Sequence, residues 1–211
     1  MINEYAFPNS TCEKTNEHGI SQPYSATLNI INCVIIFYFL LRTKHVYTFM
    51  LLGSILLFEL FHAFSHIIHI HSSIQTNTIH VITYFINFFV LMVFYNFTKT
   101  LPSNSFMCIL LLLILFDIFA LINLSLIFYI LSQTFIFISL LIYYYPLLPK
   151  NFTDKLYLIV LTILAILILI LNEIYNGNAM MAMYPDIPFH CLVEIFGIYL
   201  FYNICSIFYN L

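Results

Sequence analysis

Seven long apolar runs, separated by short polar breaks, dominate the chain. A hydrocarbon core about 30 Å thick needs roughly 20 apolar residues per helix, and runs of that order cover residues 25–41, 46–70, 78–97, 106–122, 126–145, 156–175 and 189–209. The breaks carry helix-stopping punctuation: Arg42 and Lys44 after the first run, His71 and two serines after the second, and Pro102 after the third. Residues 146–155 follow the fifth, and the stretch from Asn176-Gly177 to Pro188 follows the sixth. The fourth break, at residues 123–125, is the least marked. The pattern predicts an all-α, polytopic membrane protein: a polar N-terminal tail over residues 1–24, then one seven-helix transmembrane domain over residues 25–211.

Charge settles the helix count and gives an orientation. With seven spans, Arg42, Lys44, Lys99, Lys150 and Lys155 fall in alternate loops on one side, and only Lys14 falls on the other. Cytoplasmic loops are the Lys/Arg-rich ones, so the N-terminus is expected outside and the C-terminus in the cytoplasm. Merging the fourth and fifth runs would put Lys150 and Lys155 opposite the other three. The tail lacks a basic region followed by a cleavage site, so no cleaved signal peptide is expected. In a eukaryotic host Asn9-Ser-Thr would face the glycosylating side. The sequons at Asn96, Asn123 and Asn151 lie at helix ends or in cytoplasmic loops and are expected to be silent.

Composition agrees: 63% of residues are hydrophobic and 7% charged, against about 25% charged in soluble domains. No basic cluster suited to a phosphate backbone is present, so nucleic acid is not an expected partner; membrane lipids are. The cysteines at 12, 33, 108, 191 and 205 form no C-x-x-C pair, which argues against a disulfide framework or a thiolate metal site.

The ionisable residues inside the runs are more informative. In the second run Glu59, His62, His66 and His69 recur at helical spacing and make one stripe. An ionisable group at mid-membrane costs about 2.5–3.5 kcal/mol, so the stripe must face protein or water. The seventh run opens with His190 and Glu194 at i and i+4. The second helix runs outward and the seventh inward, so at about 1.5 Å per residue both sets lie within roughly 10 Å of the outer boundary. Asp117, Glu173 and His80 belong to the same half. A polar pocket opening outward is therefore expected. His69, His71 and His80 are read as interhelical hydrogen-bond partners near the interface, and His18 and His45 as solvated loop residues. The Tyr143–Tyr145 run and the scattered phenylalanines are read as aromatic-belt or lipid-facing groups.

Histidine and carboxylate suit zinc, and a catalytic zinc wants three protein ligands with one open position. His66, His190 and Glu194 supply such a set. Zinc lowers the pKa of a bound water to about 7, and a neighbouring Glu59 or His62 would handle its proton.

On these residues the chain resembles the alkaline ceramidases and the wider superfamily of seven-helix membrane hydrolases that includes the adiponectin and progestin receptors. His66 matches the helix-two metal ligand of that group, His190 the first helix-seven ligand, and Gly197 a nearby glycine. Cys12-Glu13 is similar to an acidic stretch before the first helix of ceramidases. The resemblance implies a zinc cofactor and hydrolysis of a sphingolipid-like amide. The chain departs from the pattern in three places: His62 replaces a serine, Glu194 replaces the second helix-seven histidine, and Asn77 stands where an aspartate is expected. Two other classes compete with the hydrolase: a transporter or channel using the stripe as a relay, and a degenerate receptor-like scaffold. A conduction path would need polar groups in the cytoplasmic half, and almost none occur there; transporter-like broken helices and repeats are also missing.

Overall fold

A computed structural model describes residues 13, 15–68, 73–122, 126–183 and 189–210. Among the described residues seven α-helices follow one another: α1 Pro23–Leu40, α2 Val46–Ile68, α3 Ser73–Thr98, α4 Asn104–Ile122, α5 Leu126–Tyr144, α6 Lys150–Met183 and α7 His190–Asn210. They match the seven apolar runs in order. Among the described residues five stretches are long and apolar enough to cross a membrane, in α1, α2, α3, α6 and α7; the shorter apolar stretches Asn104–Phe119 and Leu131–Leu147 lie in α4 and in α5 with the turn that follows it.

Local chemistry explains how α1 starts. Pro23 stands at its first turn, where a missing N–H loses nothing. The Glu13 carboxylate accepts the backbone N–H of Tyr24 and the Oγ–H of Ser25, the latter at 2.8 Å, a favourable place for an anion. Ahead of α1 the chain makes a tight turn: Asn16 Oδ1 accepts the N–H groups of His18 and Ile20, and Gly19 takes φ +80°, a conformation glycine adopts without steric penalty. Beyond the turn, Ser21 and Gln22 donate their backbone N–H to the Ile67 and His66 carbonyls. That pairing carries the end of the polar tail over the end of α2.

Neighbouring helices close a ring. α1 packs between α2 and α7, α2 against α3, α3 against α5, α5 against α6, and α6 against α7, while α4 docks on α5. At one end Phe39 meets Tyr209, Phe97 meets Phe152, and Lys155 Nζ donates to Ser206 Oγ at 3.2 Å. The C-terminal ends of α1, α3 and α7 thus share that end with the start of α6. The interior there is apolar and closed, built on Ile36, Leu51, Leu52, Phe94, Ile207 and Phe208. The outside is apolar as well: Leu60, Phe85, Leu112, Ile168 and Phe196 are all exposed.

Two expectations are corrected. α6 does not stop at Tyr175; it continues through Asn176 and Gly177 to Met183 and also begins earlier, at Lys150. One interior glycine costs about 1 kcal/mol, and the alanines and methionines that follow it are good helix formers. The aromatic run does not all face outward: Tyr144 is fully buried, stacks on Phe94 at 4.9 Å and donates its hydroxyl to the Thr100 carbonyl at 3.0 Å, and Phe94 and Phe208 are equally buried. Successive helical residues are turned by about 100°, so three in a row cannot share one face. Tyr145 is exposed, and Tyr143 stacks on Phe106.

Asp117 is wholly buried and accepts hydroxyl hydrogen bonds from Tyr84 of α3 and Ser132 of α5. It therefore clamps α4 to the ring. Asp117→Ala should lower stability by about 1–2 kcal/mol, because the Tyr84 and Ser132 hydroxyls lose a buried acceptor; thermal unfolding of the detergent-solubilised protein measures this. An unchanged transition would contradict the clamp.

Candidate metal centre

The stripe of α2 and the first turn of α7 meet inside the bundle. His62, His66, His190 and Glu194 each offer a ligand atom, and these atoms all lie within 4.8 Å of one another. At the centre is Glu194 Oε1, which lies 3.0 Å from His190 Nε2, 3.3 Å from His66 Nε2 and 3.6 Å from His62 Nε2. The Nε2 atoms of His62 and His66 are 3.1 Å apart. Three of the four side chains are almost completely buried, and the His62 side chain retains 12% of its exposure. One edge of the cluster is therefore more open than the rest.

Two of the imidazoles are also held from behind by a hydrogen bond, and the third faces a carboxylate at longer range. His66 Nδ1 meets Gln22 Oε1, and His190 Nδ1 lies 2.9 Å from Glu173 Oε2. His62 Nδ1 faces Glu59 Oε1 at 3.8 Å, while Glu59 Oε2 accepts Asn32 Nδ2 at 3.3 Å. An imidazole whose Nδ1–H is given to an oxygen behind it presents the lone pair of Nε2 in front, the arrangement found around metal-bound histidines. Bare lone pairs brought this close repel unless a cation or proton lies between them. Two central atoms, His190 Nε2 and Glu194 Oε1, make no hydrogen bond despite their short separation, because the ring and carboxylate are not aligned for one. Buried polar atoms are nearly always satisfied, and a cation among these atoms would satisfy both. The donor set of nitrogen and carboxylate oxygen, free of sulfur, fits a borderline ion such as zinc.

The five residues singled out from sequence, Glu59, His62, His66, His190 and Glu194, are thus brought together, with Glu59 one step behind His62. Gly197 lies beside them: a Cβ there would sit 3.6 Å from Asn32 Nδ2 and 4.0 Å from Glu194 Oε2, an ordinary contact. Asp117 does not join the site, being taken up by Tyr84 and Ser132. His18 and His45 are exposed, as expected of loop residues. His69, His71 and Cys12 lie outside the described residues, as do the side chains of Asn77 and His80.

Sequence reasoning passed over Gln22 and Asn32 and left Glu173 unassigned. A signal existed for α1: Ser25, Asn29 and Asn32, at i, i+4 and i+7 in an otherwise apolar run, are all fully buried and mark the face turned to the site. Gln22 was hidden because it reaches the centre through the turn of the tail.

No protein-family model, curated protein or solved structure matches this chain.

If Glu173 and His190 form one unit, their substitutions are not additive. A double-mutant cycle on Glu173→Ala and His190→Ala, followed by thermal unfolding, should return a coupling of about 1–3 kcal/mol, whereas Asp117→Ala with His190→Ala should add to within about 0.5 kcal/mol. Additivity in the first cycle would contradict the pairing.

Proposed function

We propose that this chain is an integral membrane hydrolase, zinc-dependent and ceramidase-like, that cleaves a lipid amide. The observation that carries the reading is the convergence of three imidazole Nε2 atoms on one carboxylate oxygen, with an oxygen acceptor behind the His66 and His190 rings and the Glu59 carboxylate 3.8 Å behind His62. The seven apolar helices cross the bilayer with the N-terminus outside, an orientation supported by Arg42, Lys44, Lys99, Lys150 and Lys155 in loops on one side. The His/Glu centre then lies in the outer half of the membrane, within reach of the polar end of a lipid.

His66, His190 and Glu194 hold the ion. When bound, zinc supplies Lewis acidity that polarises a carbonyl and acidifies a water. His62 is the most distant of the three imidazoles from Glu194 Oε1 and the least buried, which suits it to exchange a proton at Nε2 with a reacting group. Glu59 orients that ring through Nδ1 and stabilises its protonated form; Asn32 in turn fixes Glu59. Gln22 and Glu173 hold the His66 and His190 rings in the tautomer that leaves Nε2 free to bind. The apolar helices around the centre keep bulk water from competing.

A second reading rests on the same geometry. Four donors so close together are enough to fill a tetrahedral zinc site, as in closed structural centres, which would make the ion a staple between α2 and α7 in a receptor-like scaffold. Turnover separates the two readings.

Elemental analysis of the purified protein is expected to give close to one zinc per chain. His66→Ala and His190→Ala should lose it, and Glu173→Ala should weaken binding by about 10- to 100-fold. Glu59→Gln should keep the metal and lose most hydrolysis of a long-chain ceramide. Wild-type protein that stays free of metal after reconstitution would overturn the hydrolase reading; metal retained by a protein with no amide turnover would favour the staple.

A further inference from the structure

Next to the His/Glu centre, and separate from it, lies a partly open cavity of about 240 Å³ lined by α2, α3, α5, α6 and α7. None of the four clustered metal-site side chains lines it. The wall is mostly hydrocarbon, with Ile55, Phe137, Ile166 and Phe201 among its members. Asn87 of α3 and Gln133 of α5 interrupt it.

These two amides join across the helices: Asn87 Nδ2–H donates to Gln133 Oε1 at 2.8 Å. Their other ends, Asn87 Oδ1 and Gln133 Nε2, are buried and make no hydrogen bond. Exchanging the oxygen and nitrogen of both amides leaves the same result, so the ambiguity of amide orientation is immaterial. One hydrogen bond between two amides always leaves one acceptor and one donor over. Thr83 and Thr134 also line the cavity, yet neither meets the free amide groups. A buried donor and a buried acceptor side by side, in a wall that is otherwise hydrocarbon, are destabilising when empty and selective when filled.

We propose that this cavity binds a single-chain lipid carrying a hydroxyl group, and that Asn87 and Gln133 read the hydroxyl. A hydroxyl oxygen accepts from one amide N–H while its proton goes to the other amide's oxygen. An ester or ketone can only accept, and an ammonium can only donate. The volume falls below the roughly 300–1,000 Å³ of ordinary small-molecule pockets, which favours a narrow chain over a fused-ring body. The site uses none of the metal ligands and so stands whether or not the metal centre hydrolyses anything.

The test is displacement of a fluorescent dansyl-undecanoic acid from the purified protein. The competitors are octadecanoic acid and a panel of monohydroxyoctadecanoic acids differing in hydroxyl position. With wild type, at least one hydroxylated isomer should compete about tenfold better than the plain acid. In Asn87→Leu/Gln133→Leu that advantage should shrink to within about twofold while the plain acid still competes. Gln133→Met, which preserves side-chain length, serves as the milder variant and should lose the same preference. His66→Ala should leave it intact, which separates this site from the metal centre. A flat panel with wild type overturns the proposal, as does a hydroxyl preference that survives in the variants.

Discussion

Glu194 Oε1 lies 3.0, 3.3 and 3.6 Å from three imidazole nitrogens inside a bundle whose outer surface is hydrocarbon. An ionisable group at the centre of a membrane costs a few kcal/mol, and here Glu59, Glu173 and Glu194 are gathered with three histidines in one place. Such a group persists only if every member compensates another. That requirement explains why α1, α2, α6 and α7 each turn a polar face inward at the same level, and why the tail folds back to add Gln22. The closed apolar core at the opposite end, around Leu51, Phe94 and Phe208, keeps those helices in register.

The rest of the bundle follows from keeping α2 and α7 together. α1 is inserted between them and binds both, so its buried Asn32 can brace Glu59. α6 delivers Glu173 to the back of His190. α3 and α5 complete the ring and bring Asn87 and Gln133 together beside the apolar cavity. α4 serves from outside, through Asp117, by tying α3 and α5 at a second buried polar point. The His/Glu centre, the Asn87–Gln133 pair and the Asp117 clamp are thus three buried interhelical polar sets, each with its own role.

Much of this was legible from the order of residues. Apolar runs about 20 residues long leave little choice but helices, so the element order and most boundaries could be read directly. The i, i+3, i+7 spacing of Glu59, His62 and His66 puts them on one face whatever surrounds them. Their meeting with His190 and Glu194 needed only alternating helix direction. Depth alone, however, could not separate Asp117 from Glu173: both lie in the same half of the chain's helices, but one faces Ser132 and Tyr84 and the other faces His190. Rotation of a helix about its axis is set by packing, and the nearly uniform apolarity of α4 gave no cue. The same ignorance hid Tyr144, whose burial depends on Phe94 from another helix. Gln22 was unreadable because a turn at Gly19, not a periodic element, delivers it.

X-ray absorption at the metal edge of the purified, metal-loaded protein tests the His/Glu metal centre directly, since it reports the atoms around the ion. The expected spectrum has a zinc edge with nitrogen and oxygen neighbours at about 2.0–2.1 Å, the multiple-scattering pattern of two or three imidazoles, and no sulfur near 2.3 Å. A spectrum lacking imidazole scattering, or one dominated by sulfur, would contradict it.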